Sequence, residues 1–103
     1  MLVKISKGQH YRTRKDIPVT AMTSWAVQFT GGYERILRAG EEFTVTNDPP
    51  PKATAVYCDP KDYRKLHREF IPVGDRLRFW SYRGYYLCIK LKDIEENCES
   101  VTA

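Results

Sequence analysis

The sequence has little cysteine and no long hydrophobic run, and each shortage excludes a class of protein. The three cysteines, Cys58, Cys88 and Cys98, are an odd number, which excludes a complete disulfide framework and favours reduced thiols. No apolar run approaches the ~18 residues of a membrane-spanning helix. Lys4 and Lys7 interrupt the apolar start, so no signal peptide is predicted. These absences predict a cytoplasmic protein with no membrane partner.

The sequence also lacks the usual motifs of catalysis and metal binding. It contains no glycine-rich phosphate loop, no paired-carboxylate motif and no C-x₂-C pair of the kind that structural zinc sites use. A nucleophile, a base and an orienting acid are available only as Cys58 or Cys88 with His67 and Asp62. Because no pattern brings these residues together, we expect a protein that is not an enzyme and has no metal or cofactor.

Two segments of the chain are near-copies of each other. Residues 35–46 align with residues 69–80, sharing an apolar pair, a glycine, an acid and then an apolar-x-apolar strand. Each copy is followed by a short apolar run that ends in a cysteine, Cys58 in the first and Cys88 in the second. At 103 residues the chain is predicted to be one domain, 1–103, built from two related β-hairpins.

Short segments rich in β-branched and aromatic residues alternate with glycine, proline and asparagine turns, which is typical of an all-β protein. The predicted strands are residues 3–6, 10–14, 19–29, 34–38, 41–46, 53–58, 69–72, 76–82 and 85–91. Strands of this length with frequent hinges favour a mainly β fold, a small partly closed barrel of the SH3-like or OB-like kind.

One short helix is predicted near residues 60–68. Asp59 would cap it, and Pro60 would take the first helical position. The apolar residues that would face the sheet follow helical spacing: Tyr63, Leu66 and Phe70.

Charge is distributed unevenly along the chain. All 17 Lys and Arg, but only nine of the 13 acids, lie in residues 1–92, so this part carries a charge of +8. The other four acids lie in an acidic C-terminal segment, residues 93–103, which is predicted to be a solvated tail, the alternative being that it shields the basic surface. Residues 91–98 are a candidate for a last turn beside the helix. A basic body favours anionic partners.

The parity of strand residues predicts which side chains the second hairpin exposes. A three-residue loop, 82–84, would pair Phe79 with Leu87 and Leu77 with Ile89 on the inner face. The predicted binding residues lie on the outer face or in the loop: Arg76, Arg78, Trp80, Arg83, Tyr86 and Lys90. In the first hairpin the predicted inner residues are Phe43, Val45 and Tyr57, and the outer ones are Glu42, Thr44, Thr46, Val56 and Cys58.

The sequence is compatible with three functions, two of which use this outer face. A protein-interaction or homodimerising module would cover Trp80 and Tyr86 with a partner. Single-stranded nucleic acid, either RNA or DNA, would stack bases on these rings and follow cations with its phosphates. The cations that would extend such a footprint are Lys4, Lys7, Arg12, Arg14, Lys15, Lys61, Arg64, Lys65 and Arg68. A third alternative is a barrel that binds a small molecule among Trp25, Phe29, Tyr33 and Tyr63.

Overall fold

The computed structural model describes residues 5–23, 33–70 and 85–101. These residues form a mainly β structure, as predicted, with seven strands in one antiparallel sheet and two short helices. In chain order the elements are β1 (His10–Thr13), β2 (Ile17–Thr23), β3 (Tyr33–Leu37), β4 (Glu42–Val45), β5 (Ala55–Pro60), α1 (Tyr63–Phe70), β6 (Tyr85–Lys90), α2 (Leu91–Asn97) and β7 (Cys98–Ser100).

The strands lie in the order β3-β2-β6-β5-β4-β1-β7. Among the described residues the sheet is open, with β3 at one edge and β7 at the other. Closure into an SH3-like or OB-like barrel is therefore not confirmed and stays a prediction.

The core lies against one face of this sheet. Side chains of a strand alternate between the two faces of the sheet, and on each strand the buried residues are those that point to the core face. The fully buried strand residues include Ile17, Ala21, Leu37, Phe43, Val45, Cys58, Leu87 and Ile89. Leu66 and Phe70 of α1 and Ile94 of α2 belong to the same buried cluster, so both helices contribute to this core.

Helix α1 confirms the predicted short helix, but its cap is different. The Lys65 amide donates to Asp62 Oδ1 at 3.2 Å, so Asp62 caps the helix in place of Asp59. Pro60 ends strand β5 opposite Phe43 and does not start the helix. The predicted apolar stripe is confirmed: Tyr63 is partly buried, and Leu66 and Phe70 are buried.

The acidic C-terminal segment is part of the fold as far as Ser100. Ile94 of α2 is only 1% exposed, and β7 pairs with β1 so that Glu99 lies opposite Arg12. Arg12 Nη1 and Glu99 Oε1 are 3.4 Å apart. The prediction of a solvated tail is therefore wrong for residues 93–100, because apolar residues between the acids anchor this segment.

The first predicted hairpin forms, but its second strand faces the other way. β4 pairs with β5 in a register that places Val45 opposite Cys58, so Val56 and Cys58 are buried and Tyr57 is exposed. The prediction placed Tyr57 inside and the other two outside. The long 46–54 connection leaves the register open, and a slip of one residue exchanges the two faces of a strand.

The pairing predicted for the second hairpin differs from the observed one, because β6 lies inside the sheet between β2 and β5. Leu87 lies between Ala21 of β2 and Cys58 of β5, so both of its lateral positions are occupied and the predicted pairing with Phe79 is wrong. The parity of β6 is nevertheless as predicted, with Leu87 and Ile89 buried.

Other predicted strands have mixed outcomes. Ile5 and Ser6 are not in a strand, and residues 69–70 of the predicted strand 69–72 belong to α1. The predicted strand 76–82 lies outside the described residues, as do residues 24–29 of the predicted strand 19–29.

Candidate functional site

The sheet face opposite the core, here called the outer face, is the candidate site. Its central residues come from β3, β2, β6 and β5 and are Glu34, Ile36, Pro18, Thr20, Met22, Tyr86, Cys88, Lys90, Ala55 and Tyr57. Strand alternation places them there, since their immediate neighbours in sequence fill the core. The register brings Thr20 and Tyr57 to the two sides of Cys88.

Two tyrosines form an aromatic contact on the outer face. The rings of Tyr57 and Tyr86 meet edge to face with centroids 5.0 Å apart. Tyr57 is 43% exposed, so a large part of its apolar ring is in contact with solvent and not with the core. Partial burial raises the pKa of Tyr86, with Tyr57 and Cys88 adding to the effect, so the hydroxyl stays neutral and able to donate a hydrogen bond.

A second apolar area lies toward the β3 edge. Ile36 is 53% exposed and lies opposite Pro18 in the β2–β3 ladder. Between this pair and β5 runs a groove of about 410 Å³, here called the outer groove. Its lining residues on the outer face include Thr20, Ala55, Cys88 and Lys90. The groove is therefore lined by apolar residues, by Thr20 and Thr54, and by the charged residues Glu34, Arg35 and Lys90.

The structure places two of the six predicted binding residues. Tyr86 and Lys90 lie on the outer face as predicted, the first partly buried and the second exposed. Arg76, Arg78, Trp80 and Arg83 lie outside the described residues, so their part in the site stays a prediction.

Charges in the described part of the chain nearly balance. These residues include 13 Lys and Arg and 12 Asp and Glu. Several cations of the predicted footprint lie beside acids: Lys61 Nζ is 3.3 Å from Glu42 Oε2, and Lys65 pairs with Glu41. The excess positive charge of the chain thus falls on residues outside the described ranges, namely Lys4, Arg76, Arg78 and Arg83 against Asp75.

The cysteines do not occupy equivalent positions of a repeat. Cys58 is buried in the core, whereas Cys88 lies half-buried on the outer face. Burial raises the pKa of all three thiols, that of Cys98 to about 11 with Asp93 adding to the effect. Neutral thiols are poor nucleophiles, so neither Cys58 nor Cys88 is activated.

The thiols predict a loss of stability at alkaline pH. The folded pKa of Cys98 lies above its ordinary value, so the stability it contributes is complete below about pH 9 and is lost between about pH 9 and pH 11. The expected slope is about 1.4 kcal/mol per pH unit for each buried thiol. Urea unfolding between these pH values measures it, and Cys98→Ala should show a shallower decline. An unchanged slope in this variant would contradict the assignment.

The structure does not assemble the candidate catalytic and metal-binding residues among the described side chains. Cys58 and Cys88 point to opposite faces of the sheet, and Asp62 Oδ1 accepts the hydrogen bond that caps α1. His10 Nδ1 lies 2.8 Å from Thr44 Oγ1. No three metal-ligating side chains come together in residues 5–23, 33–70 and 85–101.

Sequence reasoning missed Ile36 and Tyr57 as members of the site. Tyr57 was missed because the predicted register of β5 differs by one residue from the observed register, which reverses the two faces of the strand. Ile36 was missed because its place in the site depends on the β2–β3 ladder, in which it lies opposite Pro18 on the face away from Val19.

Comparison with other proteins leaves the site to be interpreted from its own geometry. Within the described part of the chain, no helix has the length and apolar character needed to span a membrane. The chain matches no family model, no curated protein and no solved structure.

Proposed function

We propose that the protein is a non-enzymatic binding module whose outer face docks a protein partner. The observation that carries this proposal is the exposure of two large apolar side chains, Ile36 at 53% and Tyr57 at 43%, on the same face of the sheet. Pro18, Thr20, Cys88 and Lys90 lie between them, and the Tyr86–Met22 pair extends the patch on the far side of Tyr57. An apolar and aromatic patch with polar groups at its rim is typical of protein interfaces.

The charge balance favours a protein over a nucleic acid for the described part of this face. A phosphate backbone is bound through cations, and Lys90 is the one Lys or Arg among the described central residues of the outer face. Lys61 and Lys65, which would extend a basic footprint, are paired with acids.

Single-stranded nucleic acid is the second candidate. The excess positive charge falls in the segment that leads into β6, where Arg76, Arg78 and Arg83 accompany Trp80. Arginines beside an aromatic ring are a suitable combination for stacking bases and contacting phosphates. Binding of this kind should weaken steeply with added salt.

A small molecule inside a barrel has less support. Tyr33 and Tyr63, two of the proposed lining residues, pack partly buried against the core cluster. Trp25 and Phe29 lie outside the described residues. The outer groove is large enough for a small ligand, but it lies on the surface of the sheet.

A double substitution of the aromatic pair tests the proposal. Tyr57→Ala with Tyr86→Ala removes the rings from the outer face, and Arg68→Ala, at an exposed position of α1, is the control. Proteins retained from an extract of the cells that make this chain are compared for the unmodified chain and both variants. We expect at least one protein to be retained by the unmodified chain and the control, and about tenfold less by the double variant.

Two outcomes would overturn the protein version. Equal retention of every protein by the double variant would show that the outer face is not the docking surface. Binding of a fluorescent single-stranded oligonucleotide that depends on Tyr86 and is lost with added salt would assign the surface to nucleic acid.

A further inference from the structure

The edge strand β3 presents backbone groups that no other described strand pairs. The β2–β3 ladder runs without a break through Pro18 opposite Ile36. Because proline has no amide hydrogen, this must be a pair of the non-hydrogen-bonded type, and the next such pair is Thr20 opposite Glu34. The N–H and C=O groups of Ile36 and Glu34 therefore point away from β2, toward the edge of the sheet.

Ile36 is the centre of this edge. Arg35 Nη1 donates to the Glu34 carbonyl at 2.9 Å, and Arg35 Nε donates to the Phe70 carbonyl at 3.0 Å. The side chain of Arg35 thus already satisfies the acceptor at Glu34, whereas no described group bonds the backbone of Ile36. The Ile36 side chain is 53% exposed beside the outer groove, so an added strand would also cover apolar area.

We propose that the partner on this edge is a second copy of the chain, which pairs its own β3 antiparallel to this one with Ile36 opposite Ile36. Closed two-fold symmetry requires an antiparallel edge pair, and each register of such a pair is defined by the residue on the axis. With Ile36 on the axis, the two copies exchange two backbone hydrogen bonds through this residue. This inference depends on the proposed function of the sheet as an interaction surface.

Charge selects this register from its neighbours. With Ile36 on the axis, exposed Glu34 of each copy lies across from exposed Arg38 of the other, the residue that directly follows β3, so that two side-chain ion pairs flank the apolar centre. Moving the axis to Arg35 places two arginines opposite each other, and moving it to Glu34 places two carboxylates together. Like charges directly opposite each other destabilise a strand pair, so both alternatives are disfavoured.

Charge reversal gives a test that is specific to this register. Sedimentation equilibrium measures the monomer–dimer constant of the 12.0-kDa chain over a range of concentrations at low salt. Glu34→Arg and Arg38→Glu should each weaken the dimer by about tenfold or more, because each converts two attractive pairs into two repulsive ones. Lys92→Glu, on the exposed side of α2, is the matched control and should leave the constant unchanged.

Mixing the two reversed variants sharpens the test. In a mixed dimer Arg at 34 faces Glu at 38, and the native pair is present on the other side of the axis, so equal amounts of the two variants should associate as the unmodified chain does. Circular dichroism of each variant checks that it is folded. Failure of the mixture to associate while the unmodified chain dimerises would overturn the proposed register.

The outcomes separate this inference from the proposed function. A chain that is monomeric at every concentration, yet retains a protein through Tyr57 and Tyr86, overturns the dimer and supports the docking face. A dimer that Tyr57→Ala disrupts and Glu34→Arg does not overturns edge pairing alone. A dimer that responds to Glu34 and Arg38 in the predicted way supports edge pairing even where the outer face retains no other protein.

Discussion

Replacing Leu87 by alanine is expected to lower the free energy of unfolding by about 2–5 kcal/mol. Leu87 is completely buried in the middle of the sheet, between Ala21 and Cys58, so its removal leaves a cavity that both neighbouring strands restrain. A domain of this size has about 5–15 kcal/mol of stability in total. Urea titration followed by circular dichroism measures the change.

The next residue along β6 is the matched control. Tyr86 lies on the outer face, and its contact with the Tyr57 ring is worth about 0.5–1.5 kcal/mol, so Tyr86→Ala should cost far less than Leu87→Ala. If the two substitutions were equally destabilising, Tyr86 would be covered within the single chain. The outer face would then not be available to a partner.

Replacing Ile94 by alanine is expected to destabilise the chain by a similar amount, about 2–5 kcal/mol. Ile94 is the buried residue of α2, and this helix leads directly into β7, which covers the edge of β1. Loss of its packing should loosen the whole acidic C-terminal segment. Amide exchange of Arg14, whose N–H donates to the Asn97 carbonyl at 2.8 Å just before β7, reports on that loosening.

Glu96→Ala on the exposed side of the same helix is the control and should change the free energy of unfolding by less than about 0.5 kcal/mol. An equally small effect of Ile94→Ala would mean that the acidic segment is detached from the core in solution. The placement of β7 at the edge of β1 would then be wrong.

Local patterns predicted the elements well because they depend on neighbouring residues. The alternation of polarity correctly predicted that Leu87 and Ile89 are buried. Helical spacing correctly predicted that Leu66 and Phe70 lie on the buried side of α1. The strand order could not be predicted in this way. The place of β6 between β2 and β5 depends on pairing between residues far apart in sequence, such as Ala21 and Leu87.

The sequence repeat led to a partly wrong prediction of which positions in the two copies are equivalent. It made Cys58 and Cys88 equivalent, whereas the sheet places them on opposite faces one residue out of phase. Register is set by the length of the connecting turn and by the competition for core positions, and Val56 with Cys58 fills the core better than Tyr57 alone. Because the C-terminal segment is rich in acids, its composition did not indicate that Ile94 and Cys98 would be buried. The burial of these two residues holds the segment in the fold.

The candidate site was predicted only in part for the same reason. The parity of β6 placed Tyr86 and Lys90 on an exposed face, but the neighbours that complete this face come from distant parts of the chain. Ile36 is brought to it by the β2–β3 ladder and Tyr57 by the β5–β6 ladder. A sequence pattern within one hairpin cannot supply such neighbours.

Hydroxyl-radical footprinting of the outer face tests the central claim most directly. Oxidation of Tyr57, Tyr86 and Met22 is compared between the purified chain and the chain isolated together with the proteins it retains from its own cells. Buried Tyr11 is the internal control and should stay unreactive in both samples. A docked protein predicts strong protection of Tyr57 in the second sample, whereas equal oxidation of Tyr57 in both would show that no partner covers the outer face.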